Sequence, residues 1–569
     1  MPGAEVRARD HAGATVGAGR TDLEGTFAIV QSAPAETLEV RCAHCQTQRL
    51  ALAGRTNLAL VVRRYAALES DVPSAADLAA LPYGRIADDL ALVPFTVPSF
   101  GGTDISDRGL GDGHGLVLDT GAPLVDLATG ESSLADFPDR YVHDISIVAP
   151  TEAFRYGSYA GGGVFALYPN REQTSFGAVD AGGAPSLALE PVLGDLRPSY
   201  GVSSDDGVLA RRVDVATTTG FAGGSLDAGI GSAAESFPAE FGFDTFSRSL
   251  DLAHVDYATA SRRYRTFADF SAADVTLADD ALGNDTYRSS YLAADVRVEH
   301  PGPVTLAIGA LTTRQTAIYA LPVLPYGVLT GRAYDETVYV EAQSGTQAYG
   351  VHAGLGLSNI TADETLSSAQ TSGDRLAVLP SLGGELPLVG GLYARAGYSQ
   401  AIREPTLLEA DAQPSPPPNV APLEREELTE SALGFDAGGR VRAEVIAYRQ
   451  FTHGFDEQRF SGIGASVVWQ VAPLISLRAW TLRAEPVDYT TSLEPFLETD
   501  VSRQVVWATY ANGGGLRVDA IVQRDPRSAG SALPLDGDVY VPILPSAALS
   551  LGSASVAGVR HYYAGVRTR

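Results

Sequence analysis

The sequence predicts a mainly-β protein whose larger part is a long run of alternating strands. Three observations predict it. Gly (60 residues) and Pro (33) are abundant, a pairing that marks frequent turns rather than helices. Apolar residues make up 45% of the 569 and charged residues only 19%, which supports a large buried or lipid-covered surface. From about residue 171 apolar and polar residues alternate with period two. Leu516, Val518, Ala520 and Val522 oppose Arg517, Asp519 and Gln523, interrupted only by Ile521. Val441, Ala443, Val445 and Ala447 oppose Arg442, Glu444 and Tyr448, and Leu392, Ala394, Ala396 and Tyr398 oppose Tyr393, Arg395 and Ser399. Alternation of this kind fits a membrane barrel with its apolar side out or a soluble sandwich with its apolar side in.

Composition removes several functions. The formal net charge is −27 and every basic residue is Arg, so no basic stripe for phosphate binding is expected and nucleic acid is not a partner. No run of about 18 uncharged apolar residues is present, so no transmembrane helix is predicted. Met1-Pro2-Gly3 opens straight into strand-like sequence, and a barrel reading therefore expects a leader that this chain lacks. The only cysteines are Cys42 and Cys45, in Arg-Cys-Ala-His-Cys-Gln. Zinc would need more ligands than His44 adds, and haem attachment would need His in place of Gln46. A local disulfide or two idle thiols is the reading, and no cofactor or metal is predicted. No Gly-x-Ser-x-Gly elbow or His-Glu-x-x-His occurs, and no catalytic residue is assigned. Asp205-Asp206 and Asp279-Asp280 read as solvated loop charge.

Residues 1–64 read as short strands at Glu5–Arg9, Gly25–Val30, Thr37–Arg41, Arg49–Ala53 and Asn57–Arg63. In Thr21-Asp22-Leu23-Glu24-Gly25-Thr26-Phe27, Asp22 can close a turn, Gly25 can supply positive φ and Phe27 returns to the core. The stretch resembles the carboxypeptidase regulatory-like family, which implies a small transthyretin-like β-sandwich. Residues 65–80 form a linker running into a helix that Ser74 can cap. A second helix follows Gly84, with Ile86, Leu90 and Leu92 as its apolar positions.

Residues 81–169 are mixed. Ser106-Asp107-Arg108-Gly109-Leu110 is a strand end entering a glycine turn. Leu116-Val117-Leu118-Asp119-Thr120-Gly121-Ala122-Pro123-Leu124 is a buried strand, a turn and a second strand. Tyr156-Gly157-Ser158-Tyr159-Ala160-Gly161-Gly162-Gly163-Val164-Phe165 is a glycine turn entering a last strand. In order and spacing these resemble the plug domain of TonB-dependent receptors, with Arg108, Gly109, Gly121, Pro123, Tyr156, Gly157, Gly162 and Gly163 as the matching positions. Thr120 splits the family's Asp-Gly, and Val148-Ala149-Pro150 stands where the family has Arg-Gly-Pro. A phosphate-binding reading of the glycines fails, because a P-loop needs Lys and a strand-like segment follows them.

In the alternating region, Arg403-Glu404-Pro405-Thr406-Leu407-Leu408-Glu409 is similar to the barrel signature of the same family, at Arg403, Pro405, Thr406 and Glu409. Arg403 itself reads as an inward polar residue. The Pro-rich stretch Pro414–Asn419 cannot be a strand. The resemblance implies an antiparallel transmembrane β-barrel of about 22 strands over 170–569, filled by an α+β plug. It implies a monomer in the outer membrane, contacting lipid, with TonB and a small or medium-sized transported ligand as partners. The last residues, Tyr562 to Arg569, lack the terminal aromatic such barrels usually carry. The segment that TonB would grip is expected at Leu68, Glu69, Ser70, Asp71 and Val72, an extended stretch before Pro73. A passive porin or a secreted β-rich binding protein are the competing readings; the first would lack a plug and the second an outward apolar girdle.

Overall fold

The computed structural model describes residues 5–9, 15–20, 37–41 and 48–51 near the start of the chain. It then describes 86, 90–98, 105–108, 115–119, 121–125, 134, 137 and 142–169, and beyond 175 the barrel strands with the residues flanking them. Twenty-two strands, from Ser175–Asp180 to Val559–Thr568, form one antiparallel sheet that closes on itself. Closure is made by pairing of the first strand with the last, from Ser175 opposite Thr568 to Asp180 opposite Tyr563. Tyr562 to Thr568 therefore belong to the closing strand.

The direction of the alternation decides between the two readings that the sequence left open. In the strand Gly350–Thr365, His352, Gly356 and Ser358 are buried while Val351, Leu355 and Leu357 are exposed. Tyr393, Arg395 and Ser399 are buried and Leu392 and Ala396 exposed. Polar residues face inward and large apolar residues outward, the reverse of a soluble sandwich. The exception noted at Ile521 faces inward too, where it packs with Leu92, Phe95 and Val97.

The outward face is divided along the barrel. The end that holds both barrel termini has short connections such as 222–223, 301–303 and 437–440, and the other end carries 404–423, 490–500 and 525–534. Toward the short-turn end, outward positions are apolar: Leu306, Ile308, Val338, Val340, Leu355, Leu357, Val378 and Leu382. Toward the long-loop end polar outward positions join exposed apolar ones such as Ile318 and Val328, and they pair across strands, as Thr361 with Asp374 (2.7 Å) and Ser372 with Asp363 (2.5 Å) do. The exposed aromatics Tyr200, Phe221, Tyr264, Phe435 and Trp469 sit near the short-turn end. An apolar band edged by aromatics is what a barrel presents to a bilayer, and the strands project beyond it on the long-loop side.

Inside lies a four-stranded sheet with Leu116–Asp119 and Val164–Pro169 parallel at its centre, flanked by Ala122–Pro123 and by Val142–Val148. A two-stranded ribbon, Thr96–Pro98 with Ile105–Asp107, accompanies it. Ile86 and Leu90 are helical and buried, whereas Leu92, expected on the same helix, is buried in the turn that follows. This segment bonds to strands around the whole circumference: Asp119 to Arg212, Gly121 to Ser271, Ser158 to Asp335, Arg108 to Glu430 and Leu92 to Trp480. A segment touching such widely separated strands of a closed barrel occupies its lumen. The strand Val142–Val148 and the 3-10 helix Pro150–Arg155, which meet at Val148-Ala149-Pro150, were not anticipated as elements.

Near the start of the chain, Thr15–Arg20, Glu5–Arg9, Thr37–Arg41 and Gln48–Ala51 form one sheet in that order. Glu5–Arg9 and Thr37–Arg41 match the expected strands. Thr15–Arg20 was not among the expected strands; it pairs antiparallel with Glu5–Arg9. Gln48–Ala51 covers most of the expected strand Arg49–Ala53; the expected strands Gly25–Val30 and Asn57–Arg63, Cys42 and Cys45, and residues 65–80 lie outside the described residues.

Two measurements check this architecture. The folded protein should migrate at a different apparent mass from the boiled protein in detergent gels, because a closed barrel has no edge strand from which to fray. Leu382→Arg, inside the apolar band, should cost about 2–4 kcal/mol in liposome unfolding, whereas Thr312→Arg, above the band, should cost about 0–1 kcal/mol.

Candidate functional site at the contact between plug and barrel wall

The ribbon ends at Arg108, whose backbone is left-handed at φ +64. That conformation costs a non-Gly residue roughly 1–2 kcal/mol, and three contacts hold it. Arg108 N donates to Phe95 O at 2.8 Å, Tyr448 Oη donates to Arg108 O, and the guanidinium bonds Glu430 with both side chains fully buried. Glu430 is also approached by Arg395 at 3.2 Å, and Arg395 reaches Glu444 at 2.7 Å. Two arginines and two glutamates thus balance in a dry patch. Phe95, left-handed as well, packs edge-on to Trp480 with ring centroids 6.4 Å apart.

A second buried cluster lies across the lumen. Asp119 at the end of the central strand faces Arg212 on the wall at 2.6 Å, and Arg212 also holds Asp214 at 2.8 Å. The Arg212 guanidinium lies 4.7 Å from the centroid of the Phe137 ring. Gly121 turns the chain at φ +88, a value that favours Gly, and its carbonyl accepts from Ser271 Oγ at 3.1 Å. Pro123 follows in the short strand at the sheet edge, a position that tolerates its missing N–H.

The third contact joins two motifs far apart in sequence. Ser158 forms a parallel bridge with Ile402, and Tyr159 N donates to Ile402 O at 3.0 Å. Glu404 N donates to Ser158 Oγ at 2.9 Å. The Tyr156–Tyr159 turn and the Arg403–Thr406 segment are therefore direct neighbours. Asp335 completes the seat, accepting from Ser158 N (3.2 Å), Ser358 Oγ (2.6 Å) and Thr337 Oγ1 (3.1 Å). A side chain at Gly157, whose φ is +75, would collide with the Asp335 carboxylate. Arg403 reaches Glu424 at 2.8 Å, so it clamps the base of the 404–423 connection, in keeping with its reading as an inward polar residue. Pro405 and Thr406 are buried beside it.

Gly161, Gly162 and Gly163 form the turn into Val164. Gly163 N donates to Ala160 O and Gly163 O accepts from Leu116 N, both at 3.0 Å. The wall's Glu426 fills the space a side chain at Gly161 would need. Gly109, Glu409 and Leu68 to Val72 lie outside the described residues. Arg212, Asp214, Asp335, Arg395 and Glu444 were missed by sequence reasoning. Their only signal was an inward place in the alternation, shared with dozens of other residues.

Glu404, just past its strand, is buried and bonded to Arg375. Burial pushes its carboxyl up to about 7 against the opposing pull of Arg375, with Glu364 and Asp335 adding to the rise. Arg155 stays protonated despite burial, which works against its charge, because Tyr156 and Glu341 lie beside it; its guanidinium is 3.7 Å from Glu341.

Removing one partner of a buried pair leaves the other charge uncompensated. Arg108→Ala should destabilise the plug contact by about 3–5 kcal/mol, read as faster proteolysis of 90–169, while the barrel keeps its heat-modifiable mobility. Adding Glu430→Gln should recover part of the loss. Glu404 has a raised folded pKa, so its stabilising contribution is complete below the ordinary carboxyl range and is lost as pH rises through about 7. The Tm of the wild type should fall relative to Glu404→Gln between pH 5 and pH 8.

No family model matches this sequence, and no curated protein matches it. Solved structures do. The chain is similar to the alcaligin outer-membrane receptor FauA of Bordetella pertussis, with TM-score 0.71 and 12% identity over 92% of this chain and 98% of that one. It is similar to the FrpB iron transporter of Neisseria meningitidis (F3-3 variant), with TM-score 0.70 and 12% identity over 88% and 98%. It is similar to the ferric citrate transporter FecA in its unliganded form, with TM-score 0.70 and 14% identity over 89% and 97%. Identity at this level speaks for architecture, and the plugged, twenty-two-stranded barrel described here is the fold these outer-membrane transport proteins share.

Proposed function

We propose that this chain is a TonB-dependent outer-membrane receptor for active uptake of a scarce ligand. The observation that carries the reading is a lumen filled by a folded segment and tied to the wall by buried ion pairs at Arg108–Glu430 and Asp119–Arg212. A passive channel needs an open bore, and this one is closed by contacts that must be worked against. The similar structures include proteins named for alcaligin, iron and ferric citrate, which favours an iron chelate over cobalamin, a carbohydrate or a peptide. Ligand binds on the long-loop side. The protein works as a monomer, and the end bearing the barrel termini faces the periplasm.

In this reading residues 1–64 are a carboxypeptidase regulatory-like module, 65–80 a linker, 81–169 the plug and 170–569 the barrel. TonB pairs edge-to-edge with Leu68, Glu69, Ser70, Asp71 and Val72, and pulling there breaks the plug's wall contacts in turn. Uptake of ferric chelates should be seen in a host with an intact TonB system and be absent without it. Leu68→Pro with Ser70→Pro should abolish that uptake yet leave binding and barrel assembly intact, because Pro removes the backbone donors that strand addition needs. Equal uptake in both hosts would overturn the energised mechanism.

A further inference from the structure

The lumen wall carries a cluster that the plug contacts leave out. The strand Phe246–Ala260 turns Leu252 and His254 inward and Asp251 and Val255 outward. Asp256 shares the inward side and lies directly opposite Asp227 of the strand Gly224–Phe237. A ring nitrogen of His254 and one oxygen of each aspartate all fall within 4.8 Å of one another. His254 backs the cluster. It is only 5% exposed, its Nε2 lies 3.1 Å from Asp227 Oδ1, and its Nδ1 has no hydrogen-bond partner. Its cross-strand partner is Gly229, where any side chain would collide with the ring. Arg197 takes the other oxygen of Asp227, Oδ2, at 2.9 Å, which leaves Oδ1 for the ring. The charge pattern is a second observation. Asp256 stands opposite Asp269, and Asp269 opposite Asp295, so four inward aspartates form one row on four consecutive strands. Like charges directly opposed across strands repel. Arg197 answers that repulsion at one end of the row, and Tyr339, whose Oη is 3.3 Å from Asp295 Oδ1, answers it at the other.

We propose that Asp227, His254 and Asp256 bind one divalent transition-metal ion of the zinc class on the lumen wall. The proposal is independent of what the barrel transports. One imidazole with two carboxylates suits zinc and its neighbours, whereas magnesium and calcium prefer oxygen alone. Two donors that sit side by side, each about 2.1 Å from one ion, lie roughly 3.0–3.4 Å apart. The His254 Nε2 to Asp227 Oδ1 separation of 3.1 Å meets that condition. No donor holds Nδ1, so the ring proton can sit there and leave the Nε2 lone pair for the ion. Asp227 and Asp256 are half-buried, and water on their lumen side completes the ion's shell. The positive charge falls between two directly opposed carboxylates and offsets their repulsion. The site adjoins the plug: His254 is the cross-strand partner of Ser271, which bonds the Gly121 carbonyl.

The test uses the full chain in mild detergent, without tag histidines and with Cys42→Ser and Cys45→Ser, which removes the thiols as competing zinc ligands. This parent protein is stripped with a chelator and titrated calorimetrically with zinc alone. One equivalent should bind, and zinc-edge X-ray absorption should show imidazole and oxygen neighbours at about 2.0–2.2 Å. His254→Ala and Asp256→Asn should each weaken binding by about tenfold or more, since losing even an outer partner of a metal ligand costs about 10–100-fold. Gly229→Ala keeps all three donors but displaces the ring and should weaken binding likewise. His300→Ala, a histidine outside the cluster, should leave binding unchanged. Each variant is checked for folding by heat-modifiable mobility, and the folded ones among the three cluster variants decide the result. No zinc bound by the parent, zinc bound as tightly by the folded cluster variants, or displacement of zinc by equimolar magnesium would each overturn the proposal. The last outcome would reduce the cluster to a general attraction for cations. Absence of chelate uptake with normal zinc binding would count against the proposed function and leave this site standing.

Discussion

Hydrocarbon offers no partner for a backbone N–H or C=O, and this constraint governs the rest of the structure. A β-sheet can satisfy it only by closing, and here closure is the pairing of Ser175–Asp180 with Val559–Thr568. With the sheet closed, each strand has one face toward lipid and one toward the lumen, which gives the alternation its meaning. Outward residues such as Leu355 and Leu357 become solvent-compatible in a bilayer, and inward Ser358 and His352 become interior. A bore lined this way is too wide for its own side chains to fill, and here a second folded unit occupies it.

The inner unit meets the wall through charges rather than oil alone. Apolar contact exists, with Leu92, Phe95 and Val97 packing on Ile446, Trp480 and Ile521. Yet the closest ties are Arg108 with Glu430 and Asp119 with Arg212, all deeply buried. Such pairs add little net stability over an apolar substitute, because desolvation offsets most of the attraction. What they add is register. A charge left unpaired in a dry site is costly, so the plug has one low-energy seat and few near it.

The seat at Ser158 shows how such contacts are built from strained parts. Arg108 and Tyr159 take left-handed backbones although neither is Gly, and each is held by bonds to the wall. Asp335 gathers three donors from the plug and two strands. Glu404 bonds Ser158 through its own N–H and lies at the mouth of the connection 404–423 on the long-loop end. The segment that begins that connection is the segment the plug leans on.

The sequence by itself determined the periodicity, the punctuation and the local shapes. The strands Leu116–Asp119 and Ala122–Pro123, the turn at Arg108, and the alternation through Leu392–Ser399 and Val441–Tyr448 follow from residue type at each position, since side-chain direction along a strand depends only on parity. Parity carries no sign, however, and sequence could not say which face met water. Ile521 looked like a break in the pattern and is an inward contact with the plug. Arg212 and Asp335 looked like ordinary inward polar residues and are sites to which the plug is bound. The partners Arg108 and Glu430 are 322 positions apart, and nothing local in either predicts the other. Tertiary structure decided these matters, because closing the sheet is what brings distant strands around a common interior and turns a list of polar residues into a set of opposed charges.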